Sequence, residues 1–238
     1  MTRIVLVHGS VTYGDAAWRA QQPLAERWEL VVLNRPGFPP GPLLPRVDFA
    51  EDAEWLRPQL RAGDHLVAHS YGAVVSMLAA PGVELASLTL VEPPATAVAR
   101  DVPVVRAFED GAAEWYREGP ADPRAFLVGF LARVGSSIEL PDPLPPWLEQ
   151  GARALQVERG PWEAEPPLAA LRAAPYPKLV VSGAHSAAFD AICDVLEREL
   201  GAERAVLPGA GHTVQRAPGF NERLETFLTG SAAATRCL

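Results

Sequence analysis

Six short apolar runs, none longer than four residues, recur at 4–7, 30–33, 65–68, 88–91, 179–181 and 205–207, with longer helical patterns between most of them. Runs this short, rich in Val and Leu and bounded by turns such as Gly63-Asp64, read as strands buried on both faces. Helical crossovers between such strands bring the chain back before each new one, so neighbouring strands pair in parallel. The pattern therefore predicts an α/β fold, a mostly parallel sheet with helices on both faces. Helices are expected near 16–28, 48–60, 71–80, 187–200 and 221–228. The second of these puts Phe49, Ala53, Leu56 and Leu60 on one side, and the third stops at Pro81-Gly82.

The alternation breaks after the fourth strand. Between 93 and 177 no strand is evident. Helical segments appear instead, for example 123–134 with Phe126, Leu127, Phe130, Leu131 and Val134 on one side, separated by Pro-rich joints at 141–146 and 161–167. This reads as a helical cap inserted into the core. The division is residues 1–94 and 176–230 for the core, 95–175 for the cap, and 231–238 for a flexible tail. Ligands of open α/β sheets bind at the carboxyl ends of the strands, and a cap there would enclose a pocket and exclude water. Trp115, Tyr116, Phe126, Phe130, Trp147 and Trp162 are candidates for its wall, although such residues also pack against one another.

Composition narrows the function. A chain of 238 residues, 48% hydrophobic, suits one domain with a real core. A formal net charge of -8 argues against a general nucleic-acid binder, which needs a basic face. Cys193 and Cys237 are too few for a disulfide scaffold, and no Cys/His cluster has zinc spacing, so neither metal nor cofactor is expected. Met1-Thr2-Arg3 leads straight into the first strand without the pattern of a secretion signal, and no apolar run reaches a membrane-spanning length. The expectation is a cytoplasmic protein that acts on a small molecule, with no membrane partner and an open oligomeric state.

Three motifs carry chemistry. Ala68-His69-Ser70-Tyr71-Gly72-Ala73 joins a predicted strand to a predicted helix. That is the setting of a nucleophile elbow, where a serine sits on a tight, strained turn. Small residues two before and two after let strand and helix approach, and Ala68 and Gly72 supply them. The competing reading is a chance S-x-G at a helix start. Val7-His8-Gly9-Ser10 ends the first strand, and Pro208-Gly209-Ala210-Gly211-His212 lies between the last strand and the last helix.

In these motifs and their order the chain resembles the α/β-hydrolase superfamily over about 3–228, and within it the small bacterial esterase and haloperoxidase-like branch. The resemblance implies that Ser70 is the nucleophile and His212 the general base. It implies that the backbone N–H groups of Ser10 and Tyr71 form an oxyanion hole. His8 is then structural, and neither His65 nor His69 is a good base.

The acid departs from the family pattern. In Gly183-Ala184-His185-Ser186, Ser186 stands where the family usually has an aspartate, and a serine cannot balance an imidazolium. Some members take the acid from the end of the preceding sheet strand, which here is Glu92. The competing reading of Glu92 is a structural ion pair. Asp190 and Asp194 lie further into the next helix. If Glu92 is the acid, its carboxylate should lie within about 2.6–3.2 Å of a His212 ring nitrogen.

The expected activity is a serine hydrolase of the EC 3.1 type. It would cleave a small or medium hydrophobic carboxylic ester, or a related acyl bond, through an acyl-enzyme. A lyase, acyltransferase or C–C hydrolase on the same fold is the alternative, and so is a non-catalytic receptor with a decayed triad.

Overall fold

Alternate side chains of a strand point to opposite faces of its sheet, so one strand can serve two cores. Here β1 (Arg3–Val7) sends Val5 and Val7 into one apolar cluster and Ile4 and Leu6 into another. The computed structural model of the chain describes residues 2–136 and 138–235. After β1 come α1 (Gly14–Trp18), β2 (Glu29–Leu33), α2 (Phe49–Leu56), β3 (His65–His69), α3 (Tyr71–Ala79) and β4 (Ser87–Val91). Then follow α4 (Pro103–Glu118), α5 (Pro123–Arg133), α6 (Pro146–Gln156), α7 (Leu168–Ala173), β5 (Lys178–Ser182), α8 (Ala187–Leu200), β6 (Glu203–Val206) and α9 (Phe220–Thr235). The six strands form one sheet in the order β2-β1-β3-β4-β5-β6, and every pairing is parallel. Helices α2, α3 and α8 cover the face of Val5 and Val7, while α1 and α9 cover the face of Ile4 and Leu6.

The expected α/β fold is therefore the observed one, with two helices shortened at prolines and a longer last helix. The helix expected over 16–28 is α1 followed by a 3-10 helix over Arg19–Glu26 that contains Pro23. The helix expected over 48–60 is α2, capped by the Asp48 side chain, and then a 3-10 turn over Arg57–Gln59 at Pro58. Proline has no N–H to give, so α-helical hydrogen bonding cannot run through either site. The last helix begins at Phe220 and continues to Thr235, beyond the 221–228 expected and into the stretch read as a tail. Cys237 lies outside the described residues.

Four helices, α4 to α7, occupy the interval between β4 and β5. They bring a third apolar cluster of Phe126, Leu127, Leu131, Leu148, Ala152 and Leu155, closed by Val11 from the loop after β1. Contact is close at Gly151, where a Cβ would come within 2.2 Å of the Val11 carbonyl oxygen. A second tie pairs Val47 with the chain just after α6, through Val47 N–H to the Val157 carbonyl at 3.0 Å and Arg159 N–H to the Val47 carbonyl at 2.7 Å. The inserted helices are thus anchored on the carboxyl end of the sheet.

Candidate active site

The loops leaving β1, β3, β4 and β5 converge at that end, and each contains a strained residue. Among the described residues, four that are not glycine have positive φ: Val11 (73°), Ser70 (53°), Glu92 (50°) and Ala184 (51°). Such backbone is held only where surrounding structure enforces it, and it clusters at functional sites. The enforcement is visible around Ser70, which turns directly from β3 into α3. Its N–H donates to the Val91 carbonyl at 2.9 Å, and its carbonyl accepts from Ala73 at 2.8 Å. At Gly72 a Cβ would meet the His8 carbonyl oxygen at 2.3 Å, and at Gly9 it would meet the Ser70 Cβ at 2.7 Å. Both glycines are sterically required for the β1 loop to lie against the β3–α3 turn.

Three side chains far apart in sequence form a hydrogen-bonded chain here. The Ser70 hydroxyl lies 2.9 Å from His212 Nε2. On the other side of the ring His212 Nδ1 lies 3.3 Å from Glu92 Oε2, just beyond the window set from the sequence. The second Glu92 oxygen accepts the Gly183 N–H at 2.6 Å. Glu92 reaches this place because its own N–H is fixed to the Val181 carbonyl at 2.9 Å, in the next strand. Asp190 and Asp194 do not approach His212. Asp190 accepts from the Ser182 hydroxyl at 2.5 Å, and both aspartates face Arg204. Ser186 begins α8 without capping it through its side chain.

Ser10 and Tyr71 line the same pocket as Ser70, and among the described residues neither backbone amide donates to a carbonyl or side chain. Tyr71 also begins α3, whose first amides lack partners inside the helix and favour a negative charge. Two free backbone donors in one pocket with a serine hydroxyl are the groups that could bind a developing oxyanion.

Burial governs the ionisation of the site. His212 is pushed down to about 3 by desolvation and then by His185, so its ring is neutral at pH 7. Desolvation lifts Glu92 to about 7, against the opposing pull of His185 and the Gly183 N–H. His69 donates from Nε2–H to the His212 carbonyl at 2.8 Å and so holds that loop. His8 donates from Nδ1 to the Gly9 carbonyl at 2.7 Å and accepts the Arg35 N–H at Nε2, 3.0 Å away, which fixes it as a neutral structural residue. His65 Nδ1 lies 2.7 Å from the Ser87 hydroxyl, in the core.

Two features have no local sequence signal. His185 donates from Nε2 to the Val134 carbonyl at 3.0 Å and turns Nδ1 toward Glu92 Oε1, 3.6 Å away. Glu92, His185 and His212 thus bring three potential metal-ligand atoms within 4.8 Å of one another. A cation there would compete for the carboxylate that faces His212. The second feature is Arg35, fully buried, with its guanidinium 3.0 Å from Asp52 and 2.6 Å from Glu158. Glu158, delivered by the inserted segment, accepts the Ser10 hydroxyl at 2.5 Å. Burial raises Glu158 to about 7 despite Arg35 and the Ser10 bond.

Beside Ser70 opens a narrow apolar slot with about 30 Å³ of free volume, bounded by Ser10, Tyr71 and the rings of Phe108, Phe130, Trp162 and Phe189. Of the six aromatic candidates, Trp115, Tyr116, Phe130 and Trp162 line it. Phe126 is buried beneath, and Trp147 lines a neighbouring groove.

A family model for the alpha/beta hydrolase family matches residues 4–221. No curated protein matches the chain in sequence. Among solved structures, a bacterial membrane phospholipase A described as a virulence factor is similar at 22% identity, with a TM-score of 0.73 over 97% of this chain and 79% of that one. An esterase from Thermogutta terrifontis is similar at 20% identity and a TM-score of 0.62, over 99% of this chain and 90% of that one. Est816, an N-acyl homoserine lactone degrading enzyme, is similar at 21% identity and a TM-score of 0.61, over 95% of this chain and 93% of that one. No helix among the described residues is long and apolar enough to cross a membrane. Parallel sheet, elbow geometry and a family match across most of the length agree: the chain belongs to the alpha/beta hydrolase family.

Proposed function

We propose that the protein is a serine hydrolase that cleaves short hydrophobic carboxylic esters, with the helices of 95–175 acting as its cap. The observation that carries this reading is the chain from Ser70 Oγ to His212 Nε2 at 2.9 Å and from His212 Nδ1 to Glu92 at 3.3 Å. His212, neutral through burial, takes the Ser70 proton as the oxygen attacks the ester carbonyl. The tetrahedral oxyanion is held by the Ser10 and Tyr71 amides. Imidazolium returns its proton to the leaving alkoxide, and the ester C–O bond breaks. Water then attacks the acyl-enzyme by the reverse route, with Glu92 balancing the imidazolium each time. Short acyl groups are favoured because the slot's free volume of about 30 Å³ admits little more without movement of its walls.

Labelling with a fluorophosphonate and turnover of p-nitrophenyl acetate test the reading together. Wild type should take one label on Ser70 and hydrolyse the ester. Ser70→Ala should take none and lose about 10⁶ in kcat while folding normally. A Ser70→Ala protein that keeps several per cent of wild-type turnover would remove Ser70 from the mechanism.

A further inference from the structure

The space around Ser70 has two sides, and they differ in which catalytic group they touch. The apolar slot is lined by Ser10, Ser70 and Tyr71 but not by His212. A second narrow space, also about 30 Å³, is lined by Ser70, His212, His69 and Thr213. In ester hydrolysis the imidazolium must hand its proton to the departing oxygen, so the leaving alcohol lies on the histidine side. The acyl group then takes the apolar slot.

The histidine side leads outward. Its lining residues Val11, Thr12, Leu131 and Ile138 are also the inner wall of a groove of about 500 Å³. Leu140, Trp147 and Leu148 continue that groove as an apolar surface, and its charged residues are Arg19 and Arg216 alone. Both arginines are exposed. Arg216 follows His212 by one short turn and donates to the Ala16 carbonyl at 2.9 Å. Partial burial and the neighbouring Arg19 charge lower its affinity for a proton, which marks two cations repelling each other. No carboxylate pairs with either arginine among the described residues. In a chain of net charge -8, an apolar groove that carries two positive charges and no negative one is a local reversal of sign. An anion is the ligand chemistry that would settle there.

Building on the hydrolase reading, we propose that this groove is the subsite for the leaving alcohol, and that the alcohol carries an anionic group at its far end, held by Arg19 and Arg216. The acyl part is short and neutral, and the alcohol part is an apolar spacer ending in a carboxylate or phosphate. The chemical step is unchanged. Water supplies the oxygen of the released acid, and the alkoxide leaves with the proton from His212.

The test uses acetate esters of straight-chain alcohols of four, six and eight carbons, in three forms: unsubstituted, ending in a carboxylate, and ending in a phosphate. At low salt, at least one anionic ester should exceed the neutral ester of equal length in kcat/KM by about three- to tenfold. The better anion identifies the group. High salt should erase the advantage. Arg19→Ala/Arg216→Ala should bring the anionic-to-neutral ratio to one, and Arg19→Lys/Arg216→Lys should restore part of it. Because the readout is a ratio within each protein, a general loss of activity cancels. A ratio of one at every length in wild type overturns the inference, as does an advantage that survives in the double alanine variant. Failure of every one of these esters while fluorophosphonate still labels Ser70 and p-nitrophenyl acetate is still turned over overturns this inference alone. Failure of both removes the hydrolase reading beneath it.

Discussion

Glu92 meets the site through His212 and Glu158 through Ser10; both glutamates are buried, and both are raised to about 7 by desolvation. Their surroundings differ in one respect. Glu158 lies 2.6 Å from the Arg35 guanidinium, a charge that no accessible pH removes. Glu92 faces His212 and His185, with a neutral His212 ring as its nearest side-chain partner. The charge of Glu158 is therefore matched at all times, and its role is to hold Arg35 and the Ser10 loop in place. In the proposed mechanism the charge of Glu92 finds its match when His212 becomes an imidazolium, as Ser70 attacks. An interaction stronger in the transition state than at rest is the kind that raises kcat. On that proposal, two glutamates with the same environment-driven shift divide between architecture and catalysis by the permanence of their partner's charge.

This division can be broken by substitution. Glu92→Gln should lower kcat by up to about 10⁴ with KM nearly unchanged, because the amide cannot balance the imidazolium. Its stability in urea should not fall below wild type. Glu158→Ala should do the reverse. Removing one partner of a buried ion pair leaves Arg35 with Asp52 alone, and a loss of about 3 kcal/mol in unfolding free energy is expected. Activity should fall far less than in Glu92→Gln. A Glu92→Gln protein that unfolds easily yet keeps its turnover would exchange the two roles.

The pH dependence separates the pair further. The proposed mechanism needs ionised Glu92, so kcat/KM should rise with pH through an apparent value near 7 that belongs to the Glu92–His212 pair. In Glu158→Gln that limb should remain, and in Glu92→Gln it should move to lower pH. Stability runs the other way. The folded protein holds a proton on Glu92 between the unfolded value of 4.5 and about 7, so this contribution is full below 4.5 and is lost as pH rises. Relative to wild type, Glu92→Gln should gain stability across that window, as read by paired urea titrations. The smallest expected effect concerns the metal-like spacing of Glu92, His185 and His212. Dialysis against EDTA should leave activity unchanged, and a loss restored by zinc would make Glu92 a ligand instead.

Legibility in the sequence followed the range of the interactions. The strands were readable because burial on both faces leaves short runs such as Leu88 to Val91 with no polar face to hide. Ser70 was readable because its turn is a local event, framed by Gly72 within two residues. The position of Glu92 at the end of β4 could be inferred, since parallel register carries it beside the β5 loop. Apolar spacing continues through Pro23 and Pro58, but the α-helical hydrogen bonds do not, so the helices are shorter than the periodicity of 16–28 and 48–60 suggests. The Arg35–Glu158 pair spans 123 residues and has no periodicity or motif at either end. Arg35 stands in the turn-forming stretch Asn34-Arg35-Pro36-Gly37, which carries no sign of burial. The groove arginines lie on separate elements, and their proximity exists only in the folded chain.

The four positive-φ residues follow β1, β3, β4 and β5, which are consecutive in the sheet. Each such conformation costs on the order of 1–3 kcal/mol, while a whole domain is stable by only about 5–15 kcal/mol. One end of this sheet therefore withholds a sizeable part of the margin that would otherwise absorb random substitutions. Lineages of this chain can drift in sequence only as far as the remaining margin allows. Changes in the inserted helices that retune what the site accepts are then most readily tolerated after a stabilising change in the opposite half of the sheet.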